Sequence, residues 1–361
     1  MSSSTHNSAN SDTMISRPLA PPLLELRNLS THYVSASGTR VVRAVEDVSL
    51  TLHARETLGI VGESGSGKST LALTMLRVLP PAARIVSGQM LFEGEDLVQK
   101  SEEDMRKVRG KRIAMILQDP MASLNPLFTI GDQVGEPLRE HEGASRKTAW
   151  AKAIQLLKSV RIPSAETRVT QYPHEMSGGM RQRIVGAIGI SCDPRLLIAD
   201  EPTTSLDLTI QAQYLNLLRD LQQEHGLGLI FITHNLGIVA KMCNLLAVMY
   251  AGKVVESGPV SRVFNAPAHP YTEALLNSIP RMTERRQKLT AIDGQPPDLS
   301  NLPKGCAFAA RCPRVFARCL VEEPPIFTPS PGQTARCWLA APNAAPNAAS
   351  TASPHVSLGV L

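Results

Sequence analysis

The chain has 361 residues, 43% of them hydrophobic and 19% charged, with a formal net charge of +5. That is the balance of a folded globular protein, long enough for one ordinary core plus an extension. No apolar run approaches the roughly 18 residues that cross a bilayer, and no lysine or arginine block carries interleaved aromatics, so a membrane span and a nucleic-acid-binding role are both set aside. Residues 1–22, rich in Ser, Thr, Asn and Pro without the apolar core of a secretory signal, read as a disordered tail on a protein of the reducing cytosol.

Residues 24–29 and 41–52 alternate as half-buried strands do. Residues 57–61 make a short apolar strand that runs into Gly62-Glu63-Ser64-Gly65-Ser66-Gly67-Lys68-Ser69, and residues 69–79 continue as a helix. In that context glycines let successive backbone amides turn around a triphosphate while the helix presents its positive end. Lys68 adds a mobile cation, the Ser69 hydroxyl suits Mg²⁺, and Thr70 completes the set. A glycine-rich turn without a ligand is the bland alternative, and the surrounding strand and helix outweigh it.

Residues 112–117 read as a strand, and Gln118 follows it as a neutral amide suited to sensing Mg²⁺ and an attacking water. From Gly62 to Asp200 is 138 residues (200 minus 62), far more than one βαβ crossover needs. An inserted helical segment at about 119–183 takes up the excess, with residues 149–160 its clearest helix. Inside it, Ser177-Gly178-Gly179-Met180-Arg181-Gln182 stands 23 residues before Asp200 (200 minus 177). Its Ser177, Gly178 and Gly179, with Gln182, offer a second set of groups suited to a phosphate.

Residues 196–199 form a buried strand of parallel type that ends in Asp200 and Glu201. An aspartate there is costly unless it serves a cation, and Glu201, one residue on, is placed to polarise an attacking water. A helix over 209–225 leads to a strand over 228–233. His234 ends that strand, where a lone histidine is more often structural than placed to meet a γ-phosphate; its position 33 residues after Glu201 (234 minus 201) favours the functional reading. Alternating strands and helices point to an α/β sheet with helices on both faces.

After about residue 281 the texture changes. Eight prolines lie between Pro296 and Pro331, and Cys306, Cys312, Cys319 and Cys337 give C-x5-C-x6-C-x17-C. Four thiols gathered in a reducing compartment read as a metal centre before they read as disulfides, with zinc and iron–sulfur both open. Cys192 and Cys243 stand in apolar surroundings as core residues. The expected domains are thus a core over 23–280, a small module over 281–339 and a disordered tail over 340–361.

The runs Gln118-Asp119-Pro120-Met121-Ala122-Ser123-Leu124-Asn125-Pro126, His174-Glu175-Met176-Ser177-Gly178-Gly179-Met180-Arg181-Gln182-Arg183 and His269-Pro270-Tyr271-Thr272 add a family resemblance over residues 24–340. The chain resembles the ATP-binding subunit of bacterial ABC importers of the oligopeptide/dipeptide type, whose relatives also carry nickel and glutathione. The resemblance implies an ABC-type P-loop ATPase with an inserted helical subdomain and a cysteine-containing C-terminal module. It assigns Tyr33 to adenine stacking, Gln118 to the Q-loop, Ser69, Gln118 and Asp200 to Mg²⁺, Glu201 and His234 to hydrolysis, Ser177 to Gln182 to the signature and Leu206-Asp207 to the D-loop.

Asn235 stands where the family usually has aspartate, and Ser205 where it usually has alanine. Some members carry a C-terminal 4Fe-4S cluster, which places iron–sulfur ahead of zinc for the four cysteines. The implied partners are two transmembrane permease subunits, received by a groove near residues 119–138, a second ATP-binding subunit (paralogue or self), and indirectly a solute-binding protein. The implied location is peripheral, at the cytoplasmic face of the inner membrane. A soluble ABC ATPase acting on ribosomes or DNA is the alternative, and neither its second cassette nor a long coiled-coil insertion is present.

Overall fold

Hydrogen-bond register and burial define two sheets in the computed structural model, which describes residues 21–204, 206–279 and 292–342. Expectations for residues 1–20, Ser205, 280–291 and 343–361 lie outside the described residues. In chain order the strands are β1 (Leu24–Val34), β2 (Val41–Leu52), β3 (Thr57–Val61), β4 (Ala83–Phe92), β5 (Glu95–Asp96), β6 (Ile113–Ile116), β7 (Leu196–Asp200), β8 (Gly228–Ile232), β9 (Leu245–Tyr250), β10 (Lys253–Pro259), β11 (Phe327–Ser330) and β12 (Gln333–Ala335). One sheet is antiparallel in the order β2-β1-β4-β5, and the other runs β11-β12-β10-β9-β3-β8-β7-β6. In the larger sheet β6, β7, β8, β3 and β9 are parallel, so it is covered on both faces, as parallel sheets must be.

Alternate side chains of these strands serve different cores. Leu196, Ile198, Ile230 and Ile232 pack with Leu26, Val45, Leu71, Met75 and Phe92 toward the antiparallel sheet. Leu197, Ala199, Leu229 and Phe231 face the opposite way, onto Ile184, Ala187, Tyr214 and Leu218 of the helices Gly178–Ile190 and Leu208–His225. Between β6 and β7 lie Ile130–Glu142, Arg146–Ser159 and Gly178–Ile190, each started by a side chain that accepts a backbone N–H: Thr129, Ser145 and Ser177.

The expected boundaries shift where local chemistry intervenes. β1 runs on to Val34 because register shifts after Leu26, Leu29 and Thr31 break the two-residue alternation that marks a strand in sequence. The helix expected over 69–79 ends at Leu76, where Arg77 turns left-handed at φ 51° and its N–H bonds back to the helix carbonyls.

The cysteine-bearing segment does not stand apart from the core. β12 pairs with β10 (Glu256 opposite Ala335, Ser257 opposite Thr334) and so lengthens the central sheet. Arg336 donates to the Asp47 carboxylate at 2.6 Å. Phe308 packs its ring 5.3 Å from both Tyr250 and Tyr271. Sequence reading misses this join because its partners are some 80 residues apart (335 minus 256 is 79).

His269 explains one of the family runs in structural terms. It is 1% exposed, caps the helix Pro270–Asn277, and its Nδ1 accepts from the Tyr271 N–H at 3.0 Å. Its own N–H and that of Ala268 donate to the buried Glu256 carboxylate at 2.9 and 2.8 Å. Burial, helped by the Arg314 charge, pushes the imidazole pKa down to about 3. A histidine with a depressed pKa supplies stability that is present above about pH 6.5 and lost on acidification toward its folded value. Burial raises the Glu256 pKa and acts in the opposite sense, so the comparison must isolate His269. His269→Asn keeps a cap acceptor, and its loss of unfolding free energy from pH 7 to pH 5 should be smaller than the wild type's by on the order of 2 kcal/mol. Equal pH dependence in the two proteins would show that His269 is not held neutral.

Candidate nucleotide site

The phosphate loop lies between β3 and the helix Lys68–Leu76. Two glycines let it sit directly on the sheet. A Cβ at Gly62 (φ 155°) would lie 2.2 Å from the Met249 carbonyl oxygen, and one at Gly67 (φ 102°) 2.0 Å from that of Ala44. Lys68 is buried and donates through Nζ to the Gly62 and Glu63 carbonyls, both at 2.8 Å. Burial lowers its pKa, while the Glu201, Asp200 and Glu63 charges raise it. The lysine therefore occupies loop carbonyls and sits where acids favour its cationic form.

Tyr33, Val42, Ala44, Ser64, Gly65 and Leu299 share one open pocket with Lys68, Ser69, Thr70, Gln118, Glu201 and His234. Tyr33 reaches it from β1, its hydroxyl 3.3 Å from Thr70 Oγ1. Gln118, Glu201 and His234 follow the carboxyl ends of the neighbouring strands β6, β7 and β8. Glu201 is where they converge: its Oε2 accepts from Gln118 Nε2 at 3.3 Å and from Thr204 Oγ1 at 2.9 Å, and its Oε1 lies 3.3 Å from His234 Nδ1. The Glu201 backbone is left-handed at φ 44°, an uncommon conformation for a non-glycine residue that turns the chain sharply off the strand.

Asp200 ends β7 at 6% exposure, and its Oδ1 has no hydrogen-bond partner. Burial raises its pKa, with Ser69, bonded to the carboxyl, acting against the rise. A buried carboxylate oxygen left open beside a hydroxyl is the donor set that a hard cation such as Mg²⁺ takes. Ser69 and Asp200, with Gln118 nearby, fit that ion.

The signature residues lie elsewhere. Ser177, Gly178 and Gly179 do not line this pocket. Ser177 caps its helix, Gly178 meets nothing within 4 Å of where a Cβ would stand, and Gly179 lies against Ile210. Gln182 departs from expectation: it is 0% exposed and sits by the Tyr214 hydroxyl, so it has no face to offer a nucleotide. It belongs to the core beneath the signature.

Asp207 and Asn235 both cap helices, Asp207 accepting from Thr209 and Ile210 and Asn235 from Gly237 and Ile238. The Asn235 departure therefore keeps the cap that aspartate would make. Sequence reading passed over Thr204, Leu299 and Arg311. Thr204 sits in the loop after Glu201, whereas Leu299 and Arg311 come from the far C-terminal segment and carry no local signal.

Cys306, Cys312, Cys319 and Cys337 are free thiols that line one small cavity with His269, Phe308 and Trp338. Backbone amides of Phe308, Arg314 and Leu339 point at the sulfurs of Cys306, Cys312 and Cys337. No group of three or more His, Cys, Asp or Glu among the described residues is already drawn together as a metal site. Cys192 is buried, and burial raises the Cys243 thiol to about 12, as expected of core residues. No helix among the described residues is long and apolar enough to cross a membrane.

Residues 45–204 match the ABC transporter family and residues 255–319 the family described as oligopeptide/dipeptide transporter, C-terminal region. The oligopeptide transport ATP-binding protein OppD of Bacillus subtilis is 48% identical over 324 residues, 89% of this chain and 90% of its own length. The dipeptide transport ATP-binding protein DppD of the same organism is 47% identical over 318 residues, 88% of this chain and 94% of its own. In fold the chain is similar to the dimeric ATP-binding cassette MJ0796, solved in a post-hydrolysis state with ADP and Pi (TM-score 0.59, 24% identity, 66% of this chain and 98% of that one). With relatives this similar over nearly their whole length, the chain belongs to the ABC transporter ATP-binding proteins, in the branch that carries the oligopeptide/dipeptide C-terminal region.

Proposed function

We propose that the chain hydrolyses ATP to power import of peptides, or of a related small solute, through a membrane ABC transporter. The observation that carries the reading is the convergence of Gln118, Thr204 and His234 on Glu201, beside the open oxygen of Asp200. The peptide-import assignment draws on the named activities of the relatives.

The phosphate loop, from Gly62 through Thr70, surrounds the triphosphate with amides, and Lys68 leaves its loop carbonyls to meet the β and γ phosphates. Tyr33 and Leu299 face the base from opposite sides of the chain's sequence. Ser69 and Asp200, with Gln118, would hold Mg²⁺, and the ion would supply charge neutralisation at the phosphates. Glu201 takes the proton of the attacking water as its oxygen bonds the γ-phosphorus and the bond to the leaving ADP oxygen breaks. His234 holds Glu201 and the transferred phosphoryl group in register.

Ser177, Gly178 and Gly179 stand away from this pocket and so fit the phosphate loop of a second ATP-binding subunit, a paralogue or another copy. Pairing of that kind makes closure depend on ATP. The helices between residues 119 and 183 act as the helical subdomain, and exposed Met121, Leu127 and Phe128 suit docking to one of two transmembrane permease subunits. The subunit then works peripherally, at the cytoplasmic face of the membrane, and the solute reaches it by way of a binding protein and the permease.

The four cysteines fit a metal in kind. They share one cavity; burial raises the Cys306, Cys312 and Cys337 thiol pKa values, and backbone amides aimed at those sulfurs act against the rise, as they would toward thiolate ligands. A 4Fe-4S cluster is the first reading and zinc the second, either of which would tie a proline-rich segment together.

Three outcomes test this reading. Glu201→Gln should keep ATP binding and lower turnover in the assembled transporter by about 10²-fold or more; near wild-type hydrolysis would remove Glu201 from the base role. Ser177→Arg, despite costing its helix a cap worth about 1 kcal/mol, should bind nucleotide normally as an isolated subunit and fail to close as a dimer with ATP. Weak binding by that isolated variant would put Ser177 in its own pocket instead. Anaerobically purified protein should carry about four irons with matching sulfide per chain, lost together with protease resistance of the C-terminal segment in Cys312→Ser. One zinc would favour the second reading, and four free thiols without metal would end both.

A further inference from the structure

Arg311 belongs to the turn framed by Cys306 and Cys312, yet its side chain ends at the phosphate loop. Nη1 and Nη2 donate to the two Glu63 carboxylate oxygens at 2.8 and 3.0 Å. Nε and Nη2 also donate to the Asp293 and Ile292 carbonyls, at 2.9 and 3.2 Å, and Nη1 to Tyr250 Oη at 3.3 Å. The Arg311 side chain is 5% exposed and that of Glu63 26%. A buried, bidentate arginine with every nitrogen engaged is held in one orientation. Glu63 is grasped from the same side a second time, since its N–H donates to Tyr271 Oη at 2.9 Å.

Glu63 is an awkward residue for a loop that takes a polyanion. It lies between Gly62 and Ser64, its carbonyl accepts from Lys68 Nζ at 2.8 Å, and its charge is felt at that lysine. Left unpaired, the carboxylate would repel the β and γ phosphates and compete with them for Lys68. We propose that Arg311 is a positioning residue for ATP: it neutralises Glu63 and fixes the first turn of the phosphate loop, so that nucleotide affinity depends on the cysteine-bearing segment in which Arg311 is anchored. The inference rests on the proposed binding of ATP at the loop.

A purely structural staple would have a different signature from a charge-neutralising one. In the full-length chain, titrated with a fluorescent ATP analogue and assayed for hydrolysis, Arg311→Ala should raise Kd and KM for ATP about tenfold while kcat stays within about twofold, the scale of one uncompensated charge near the site. Adding Glu63→Gln to Arg311→Ala should return Kd to within about twofold of wild type, because the charge that needed cancelling is gone. Unchanged affinity in Arg311→Ala, or a double variant as weak as Arg311→Ala, would each overturn the proposal. Lys68→Ala separates the underlying reading: if it binds ATP as wild type does, the loop is not the ATP site, whatever Arg311 does.

Discussion

The contact between the phosphate loop and the strands beneath it decides where everything else in the site must stand. Gly62 rests on the Met249 carbonyl and Gly67 on that of Ala44, at separations that leave no room for a Cβ. These contacts tie the loop to β9 and β2, and β3 delivers it between β8 and β9. Because β6, β7 and β8 are hydrogen-bonded in parallel register, Ile116 opposite Ala199 and Asp200 opposite Ile232, the residues that follow their ends arrive side by side. Gln118, Glu201 and His234 meet without any long loop to place them. A one-residue slip of β7 would exchange Asp200 and Glu201 between faces and separate the open carboxylate from Ser69.

Charge is balanced with equal economy. Lys68 lies among Asp200, Glu201 and Glu63, each of which favours its protonated form against the cost of burial. Asp200 is held at a raised pKa with one oxygen open, an arrangement that costs stability in the free protein and suits a cation. Glu63 is answered by Arg311 from nearly 250 residues away (311 minus 63 is 248). The loop thus meets a polyanionic ligand with its own acid already compensated.

What was legible in the sequence was local. The phosphate loop, Asp200-Glu201, Gln118 and His234 each sit at the end of a strand whose continuous apolar run marks it as buried, so type and position could be read together. Helix starts were legible only in part: the helix expected over 209–225 begins at Leu208 behind its Asp207 cap, whereas the one expected over 149–160 begins at Arg146 behind Ser145, and Ile130–Glu142, capped by Thr129, has no counterpart among the expectations. Gln182 misled because a motif fixes spacing and says nothing of which helix face points inward. β1 was read short because bulges interrupt its alternation. The pairing of β12 with β10 and the residues Leu299 and Arg311 were missed for one reason: their meaning lies in partners distant in sequence, on which periodicity and spacing are silent.

Those missed residues alter how the C-terminal segment is to be regarded. Leu299 lines the nucleotide pocket with Tyr33, and its carbonyl accepts from the Arg43 N–H at 3.1 Å, beside Val42 and Ala44 on β2. Arg311 meets the phosphate loop at Glu63. Between them Tyr250, Tyr271 and Phe308 pack ring against ring, with Phe308 on the wall of the thiol cavity. Two short chains of contacts therefore join this segment to the phosphate loop. Phe308, on the cavity wall, packs on Tyr271, whose hydroxyl accepts from the Glu63 N–H. Arg311, next to Cys312 in sequence, holds the Glu63 carboxylate itself, while β12 fixes the same segment to the central sheet through β10.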